Sequence, residues 1–187
     1  MEPEFDEELY NWEQNYFLDH FVGGHLGRNL GSPDFAQAHE ALKKLKRRLA
    51  KLPRCLVHRD FQSQNVLIRD GEAWLVDYQG LRLGRFEYDL ASLVYDPYVG
   101  LTAEQRNELL QFYVDHRGLD LEEMRQVFYL CAAQRLMQAL GAYANLSRNL
   151  GKKQYLEHVP SALANLQEVC QQGNGLLEIE TFFKGAA

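Results

Sequence analysis

The hydrophobic pattern of this chain changes period twice, and that change restricts its fold more than any other feature. Up to residue 52 the apolar side chains recur at helical spacing, from Cys55 to Val76 they come in short extended runs, and from Asp89 onward they return to helical spacing. Phe5, Leu9, Trp12, Tyr16 and Phe21 predict a helix over 5–21, with the acids around Glu7 at the positive end of its dipole. The glycines between Gly23 and Gly31 predict that it stops there. Ser32 followed by Pro33 reads as an N-cap and first turn of a second helix, striped by Phe35, Ala38, Leu42, Leu45, Leu49 and Leu52. Its lysines and arginines between 43 and 48 read as a solvated face. Cys55–Val57 is a short strand, and Val66–Ile68 and Trp74–Val76 flank Asp70-Gly71, a favoured hairpin turn. Helices are expected near 88–96, 102–117, 120–146 and 159–172, two of them opening with the capping pairs Thr102/Gln105 and Asp120/Glu123. From Gly173 on no pattern stands out. The fold class is therefore α+β, mainly α-helical, with one small β-hairpin, in a single domain over 1–187.

Composition narrows the partners. At 187 residues and 46% hydrophobic the chain can bury a core, and 20 basic against 26 acidic residues give a net charge of −6, which disfavours binding to nucleic acid or anionic lipid. Cys55, Cys131 and Cys170 are odd in number and far apart, so they read as reduced, buried thiols. The acidic N-terminus is unlike a signal peptide, and no stretch approaches the ~18 apolar residues of a membrane span. A cytoplasmic protein that engages no membrane is expected.

Between the first two strands lies a dense polar loop, His58-Arg59-Asp60-Phe61-Gln62-Ser63-Gln64-Asn65. With the hairpin turn centred on Asp70 and Gly71, residue 65 lies opposite residue 76 and Asp77 follows one step beyond, so Asn65 and Asp77 should converge. An amide oxygen beside a carboxylate offers the hard oxygen donors that Mg²⁺ prefers, water and phosphate completing its octahedron. Asp60, on the far side of the loop, is left free to act as a base. Taken singly, each of these three reads as a turn or cap residue.

Together, HRDFQSQN and VDYQG resemble the catalytic loop and metal-binding loop of the protein-kinase-like superfamily. Gln62, Gln79 and the lack of an A-P-E motif depart from protein kinases, and the chain instead resembles the aminoglycoside phosphotransferase and choline kinase branch. HRDFQSQN, DYQG and Tyr88-Asp89-Leu90-Ala91-Ser92-Leu93 look most like bacterial amino-sugar kinases of the N-acetylmuramate/N-acetylglucosamine type, which phosphorylate the anomeric hydroxyl; Trp12–Leu18 is similar to a helix of that family. The resemblance implies the C-terminal lobe of a kinase-like fold, ATP and Mg²⁺ as cofactors, and a small-molecule hydroxyl as substrate. Carried over, it makes Asp60 the acceptor of the hydroxyl proton and gives Asn65 and Asp77 the Mg²⁺ that bridges the nucleotide phosphates. It also makes Asp89 a brace of the catalytic loop through backbone amides, a role that stands beside the simpler one of N-cap for the following helix. His58 is expected to orient the loop.

The superfamily's glycine-rich hairpin and strand lysine are not in this sequence. The nucleotide lobe that carries them, the chain's implied partner, would lie upstream of Met1, as in a truncated product or half of a split enzyme. A non-catalytic interaction module is the alternative reading of the chain, and an aminoglycoside or a choline-like alcohol the alternative substrate.

Overall fold

The computed structural model describes residues 2–186; Met1 and Ala187, the two ends of the single domain expected above, lie outside the described residues. Among the described residues, six α-helices and four short strands follow in the order α1 (Glu7–Tyr16), α2 (Ala36–Ala50), β1 (Cys55–Val57), β2 (Val66–Arg69), β3 (Glu72–Leu75), β4 (Arg82–Gly84), α3 (Phe86–Val94), α4 (Ala103–Arg117), α5 (Leu121–Leu150) and α6 (Val159–Gln172). The mainly helical α+β class is as expected. Among the described residues no helix is long and apolar enough to cross a membrane.

α5 is the spine. It packs against the first helical segment, α3 and α6, and its middle buries Phe128, Leu136, Met137 and Leu140 in one continuous core. Each such side chain contributes roughly 1.5–3 kcal/mol by leaving water. The helix is capped at Asp120, whose carboxylate accepts the Glu123 N–H at 2.8 Å, and it runs one turn past the expected end, to Leu150, before Gly151 at φ 69° stops it. The Thr102/Gln105 capping box forms as expected.

The first helix departs from expectation at its C-terminal end and in the face that it buries. It does not stop before the glycines but continues as π-helical turns over Phe17–His25. The small residues are what permit the packing there: a Cβ on Gly24 would sit 2.6 Å from the Arg148 guanidinium, and one on Gly141 of α5 would sit 3.0 Å from the Tyr16 carbonyl oxygen. Close approach of helix to helix offsets the roughly 1 kcal/mol that a mid-helix glycine costs. Trp12, assigned above to the buried stripe, is 49% exposed, whereas Glu13 is 0% exposed. Polar partners explain the inversion. The Tyr88 hydroxyl donates to Glu13 Oε1 at 3.1 Å and the Gln134 amide to Oε2 at 3.0 Å, while the Gln14 amide donates to Gln134 Oε1 at 3.1 Å.

The strands form two separate antiparallel pairs, β1 with β4 and β2 with β3. In the hairpin Val66 faces Leu75 and Arg69 faces Glu72, the expected register, and Asp70 and Gly71 turn it with φ of 53° and 80°. β4 was not anticipated, because three residues ending in glycine carry no strand pattern. Cys131 and Cys170 are buried free thiols, but Cys55 is exposed, a correction to the expectation of three buried thiols. The cause is that β1 has a partner on one edge only and buries Val57 alone. The unassigned C-terminal stretch forms a 3-10 turn over Leu177–Phe182, and the Phe182 ring lies 5.0 Å from that of Phe35 at the start of α2.

Burial raises the Glu13 pKa above its usual 4.5, against the lowering effect of Gln134, Arg59, Tyr88 and Arg135. The folded chain therefore holds this proton more tightly than the unfolded chain. That stability is fully present below the ordinary carboxylate pKa and is lost as pH rises through the raised value. In Glu13→Gln the amide keeps both contacts, its oxygen accepting from Gln134 and its nitrogen donating to Tyr88, and carries no charge. Urea unfolding from pH 4 to pH 8 should show the variant gaining on the wild type as pH rises. Parallel curves would refute the assignment.

Candidate active site

β1 delivers the chain into the loop at His58, and α3 with its C-terminal extension holds that loop by two carboxylates. Asp89 Oδ2 accepts the His58 N–H at 2.6 Å and Oδ1 the Arg59 N–H at 2.8 Å. Seven residues on, Asp96 Oδ2 accepts the Ser63 N–H at 2.6 Å and Oδ1 the Tyr98 N–H at 2.9 Å. Asp89 lies inside α3, whose N-cap is Arg85, so the N-cap alternative falls and the backbone-brace role remains. Arg59 has a φ of 77°, a left-handed backbone that costs a non-glycine residue about 1–2 kcal/mol. The bonds to Asp89 hold it there, since a charge-assisted hydrogen bond contributes about 1.5–3 kcal/mol. Burial pushes the Asp89 carboxyl up in pKa, and the two amides pull it part of the way back. The His58 ring Nε2 lies 3.0 Å from the Val76 carbonyl, to which it can only donate, so His58 ties the loop to the far strand of the hairpin.

Asp60 and Asn65 close the loop on itself. The Asn65 amide donates to the Asp60 carbonyl at 2.8 Å, which leaves the amide oxygen for a ligand. The Asn65 carbonyl accepts the Val76 N–H at 3.1 Å, so the pairing continues past the strand ends and delivers Asp77 one residue beyond Asn65. Asp77 is exposed, in a left-handed conformation at φ 63°, and its carboxylate accepts from the Gln79 amide. Among the described residues no group of three or more His, Cys, Asp or Glu is placed to hold a metal ion. The Asn65 amide oxygen and the Asp77 carboxylate are hard donors of the kind Mg²⁺ takes, and an ion held by these two would need its other ligands from phosphate and water.

Two concavities flank the loop. The larger, about 570 Å³, is lined by apolar side chains such as Leu56, Phe61, Leu75, Phe86 and Phe112. Its polar neighbours are the Tyr113 phenol and two groups that hold the loop, the His58 ring through Nε2 and the Asp89 carboxylate. The smaller, about 200 Å³, has Asp60 in its wall together with Gln62, Gln138, Arg135, Tyr143 and Tyr155. The second joins the Asp60 carboxylate to amide, guanidinium and phenol groups that can bond a polyhydroxylated molecule. Of the later-helix aromatics, Phe128 and Tyr143 are buried and Phe112 is exposed, with Tyr143 alone of these lining the smaller pocket. The sequence reading missed Asp96, Arg135, Tyr98 and Tyr155. A signal existed for two of them: Arg135 is the one charged residue in the otherwise uncharged stretch Cys131–Leu140, and Asp96 precedes a proline as turn-forming aspartates do.

A family model described as the phosphotransferase enzyme family matches residues 1–127. The chain belongs to that family. An N-acetylmuramate/N-acetylglucosamine kinase of Neisseria meningitidis is 29% identical over 177 residues, covering 91% of this chain and 53% of the relative. A protein of the same name from Pseudomonas aeruginosa is 26% identical over 184 residues, covering 95% of this chain and 54% of the relative. The chain thus spans about half the length of these curated relatives, and the likeness to a phosphotransferase rests on the half that carries the HRDFQSQN and DYQG loops.

The two braces make separable demands. Asp96→Ala should free the Ser63 and Tyr98 amides to hydrogen exchange and leave His58 and Arg59 protected, whereas Asp89→Ala should do the reverse, each costing roughly 2–3 kcal/mol in urea unfolding. Loss of protection across the whole loop in both variants would show a single cooperative unit instead.

Proposed function

We propose that this chain is the catalytic and acceptor-binding lobe of an ATP-dependent kinase that phosphorylates a hydroxyl of a small molecule, an amino sugar of the N-acetylmuramate or N-acetylglucosamine kind. The observation that supports this reading is Asp60 in the wall of the smaller pocket, its backbone carbonyl bonded by the Asn65 amide and Asp77 following the residue paired with Asn65. In-line transfer would need an acceptor in that pocket, Asp60 as base, and metal and phosphate at Asn65 and Asp77. Asp60 aligns the acceptor hydroxyl and takes its proton as that oxygen bonds to the γ-phosphorus of ATP and the bond from the γ-phosphorus to the β-phosphate oxygen breaks, releasing ADP. Asn65 and Asp77 would hold Mg²⁺, which would supply positive charge against the nucleotide phosphates. Arg59 and Ser63 contribute through their tethered backbones, which keep Asp60 in place without reorganisation during transfer.

The charge of the pocket supports a sugar over a polycation. Asp60 and Arg135 balance each other, and tyrosine and glutamine side chains supply the remaining polar contacts. A polycationic aminoglycoside would need several carboxylates. The nucleotide base and the outer phosphates require a second set of residues, which the exposed hairpin is suited to meet: Leu67, Ile68 and Trp74 stand more than half exposed there. In this reading the 187 residues fold alone, hold the acceptor, and turn over ATP only when joined to a nucleotide-binding partner.

Three outcomes follow for a complete enzyme that contains this lobe. Asp60→Asn should lower phosphoryl transfer by at least ~10²-fold with the fold intact. Asp77→Ala and Asn65→Ala should each weaken Mg²⁺-nucleotide binding, Asp77 more because it supplies the full charge, as read by displacement of Mn²⁺ in proton relaxation. In a coupled assay N-acetylglucosamine or N-acetylmuramate should be consumed. Turnover of choline or aminoglycosides with no sugar turnover would overturn the substrate, and steady turnover by the isolated 187 residues would overturn the need for a partner.

A further inference from the structure

Arg135 is a charged side chain in the middle of α5 with only 10% of its side chain exposed. Burial opposes its charge, and neighbouring groups, Tyr88 and Asp60 foremost, more than offset that opposition. Its donors are distributed over three elements. Nε donates to the Ser92 hydroxyl of α3 at 3.1 Å and Nη1 to Gln138 Oε1, one turn along α5, at 2.6 Å. Nη2 points to the catalytic loop, 3.5 Å from Gln62 Oε1 and 3.7 Å from Asp60 Oδ1. Desolvating a guanidinium is costly unless its hydrogen bonds are met, and apolar packing here would be cheaper. With Nε and Nη1 spent on Ser92 and Gln138, the guanidinium plane is fixed before any ligand arrives. What remains free to interact is one amino group, aimed at the carboxylate.

We propose that Arg135 is a positioning residue, which acts through Asp60 and not on the acceptor directly: anchored by Ser92 and Gln138, it sets the place of the Asp60 carboxylate and the Gln62 amide on the wall of the acceptor pocket. The proposal rests on the reading of that pocket as the acceptor site. It explains why an arginine stands there, since a planar fork can serve α3, α5 and the loop at fixed angles where a lysine offers a single point. It also gears the pocket to the base. Gln138, which shares the pocket wall with Tyr143, is bonded to the same guanidinium that faces Asp60, so the acceptor wall and the proton acceptor keep one geometry.

The test is a double-variant cycle on the 187-residue chain with Asp60→Asn and Arg135→Met, and Arg135→Lys as the conservative variant. Calorimetric titration with N-acetylglucosamine should show Arg135→Met weakening binding about tenfold, Arg135→Lys recovering part of it, and Arg135→Met having no further effect once Asp60 is Asn, because residues that act through one another are non-additive. Effects that multiply in the double variant would overturn the proposal, as that is the signature of an arginine that contacts the sugar itself. If no sugar binds the wild-type chain, the acceptor reading fails, and the same cycle read as urea midpoints decides for Arg135. A smaller shift from Arg135→Met in the Asp60→Asn background than in the wild type retains the coupling to Asp60. Equal shifts in the two backgrounds overturn it.

Discussion

The pair of bonds from Asp89 to the His58 and Arg59 amides is the constraint on which the rest of the site depends. Without it the left-handed Arg59 would relax, the chain would leave β1 in another direction, and Asp60 would no longer face the pocket beside α5. The brace is placed by α3, whose neighbours Tyr88 and Leu90 are buried against the α5 core, so hydrophobic burial far from the loop fixes where a carboxylate meets two amides. Asp96 repeats the device for the second half of the loop. The loop over residues 58–65 is thus shaped from beneath, by a helix, and only secondarily by its own turns.

The cost of that arrangement is visible in the number of ionisable groups drawn into low dielectric. Glu13, Asp96 and Arg135 are each at most 8% exposed, and Asp89 is mostly enclosed by the loop that it holds. Each would be unfavourable alone. Bonds to Tyr88, Gln134, Ser92, Gln138 and the loop amides satisfy them, and the result is a network that admits one arrangement of α1, α3, α5 and the loop. Stability is given up for geometry, as is common where positioned charge does chemistry.

Much of this was legible in the sequence, for reasons that differ by element. The hairpin register followed from Asp70-Gly71 alone, because a two-residue turn leaves no freedom in pairing, and the pairing of Asn65 with Val76 followed from the register. The α4 and α5 starts followed from side-chain caps, which are local. What escaped was non-local. The helix run through Gly23 and Gly24 depends on how closely the first helix approaches α5, and the burial of Glu13 in place of Trp12 depends on Tyr88 and Gln134, seventy-five and more residues away. Asp96 and Arg135 escaped likewise, since a turn aspartate and a helix arginine are ordinary until the fold brings them to the loop.

The exposure of Cys55 has a practical side. Burial raises the thiol pKa of Cys131 and Cys170, which suppresses their reactive thiolate, whereas Cys55 stands in solvent three residues ahead of His58. A thiol-directed fluorophore or spin label would therefore attach at one position without prior removal of the other cysteines. Seated at the entrance to the loop over residues 58–65, it would report directly any ordering of that loop when a proposed ligand is added.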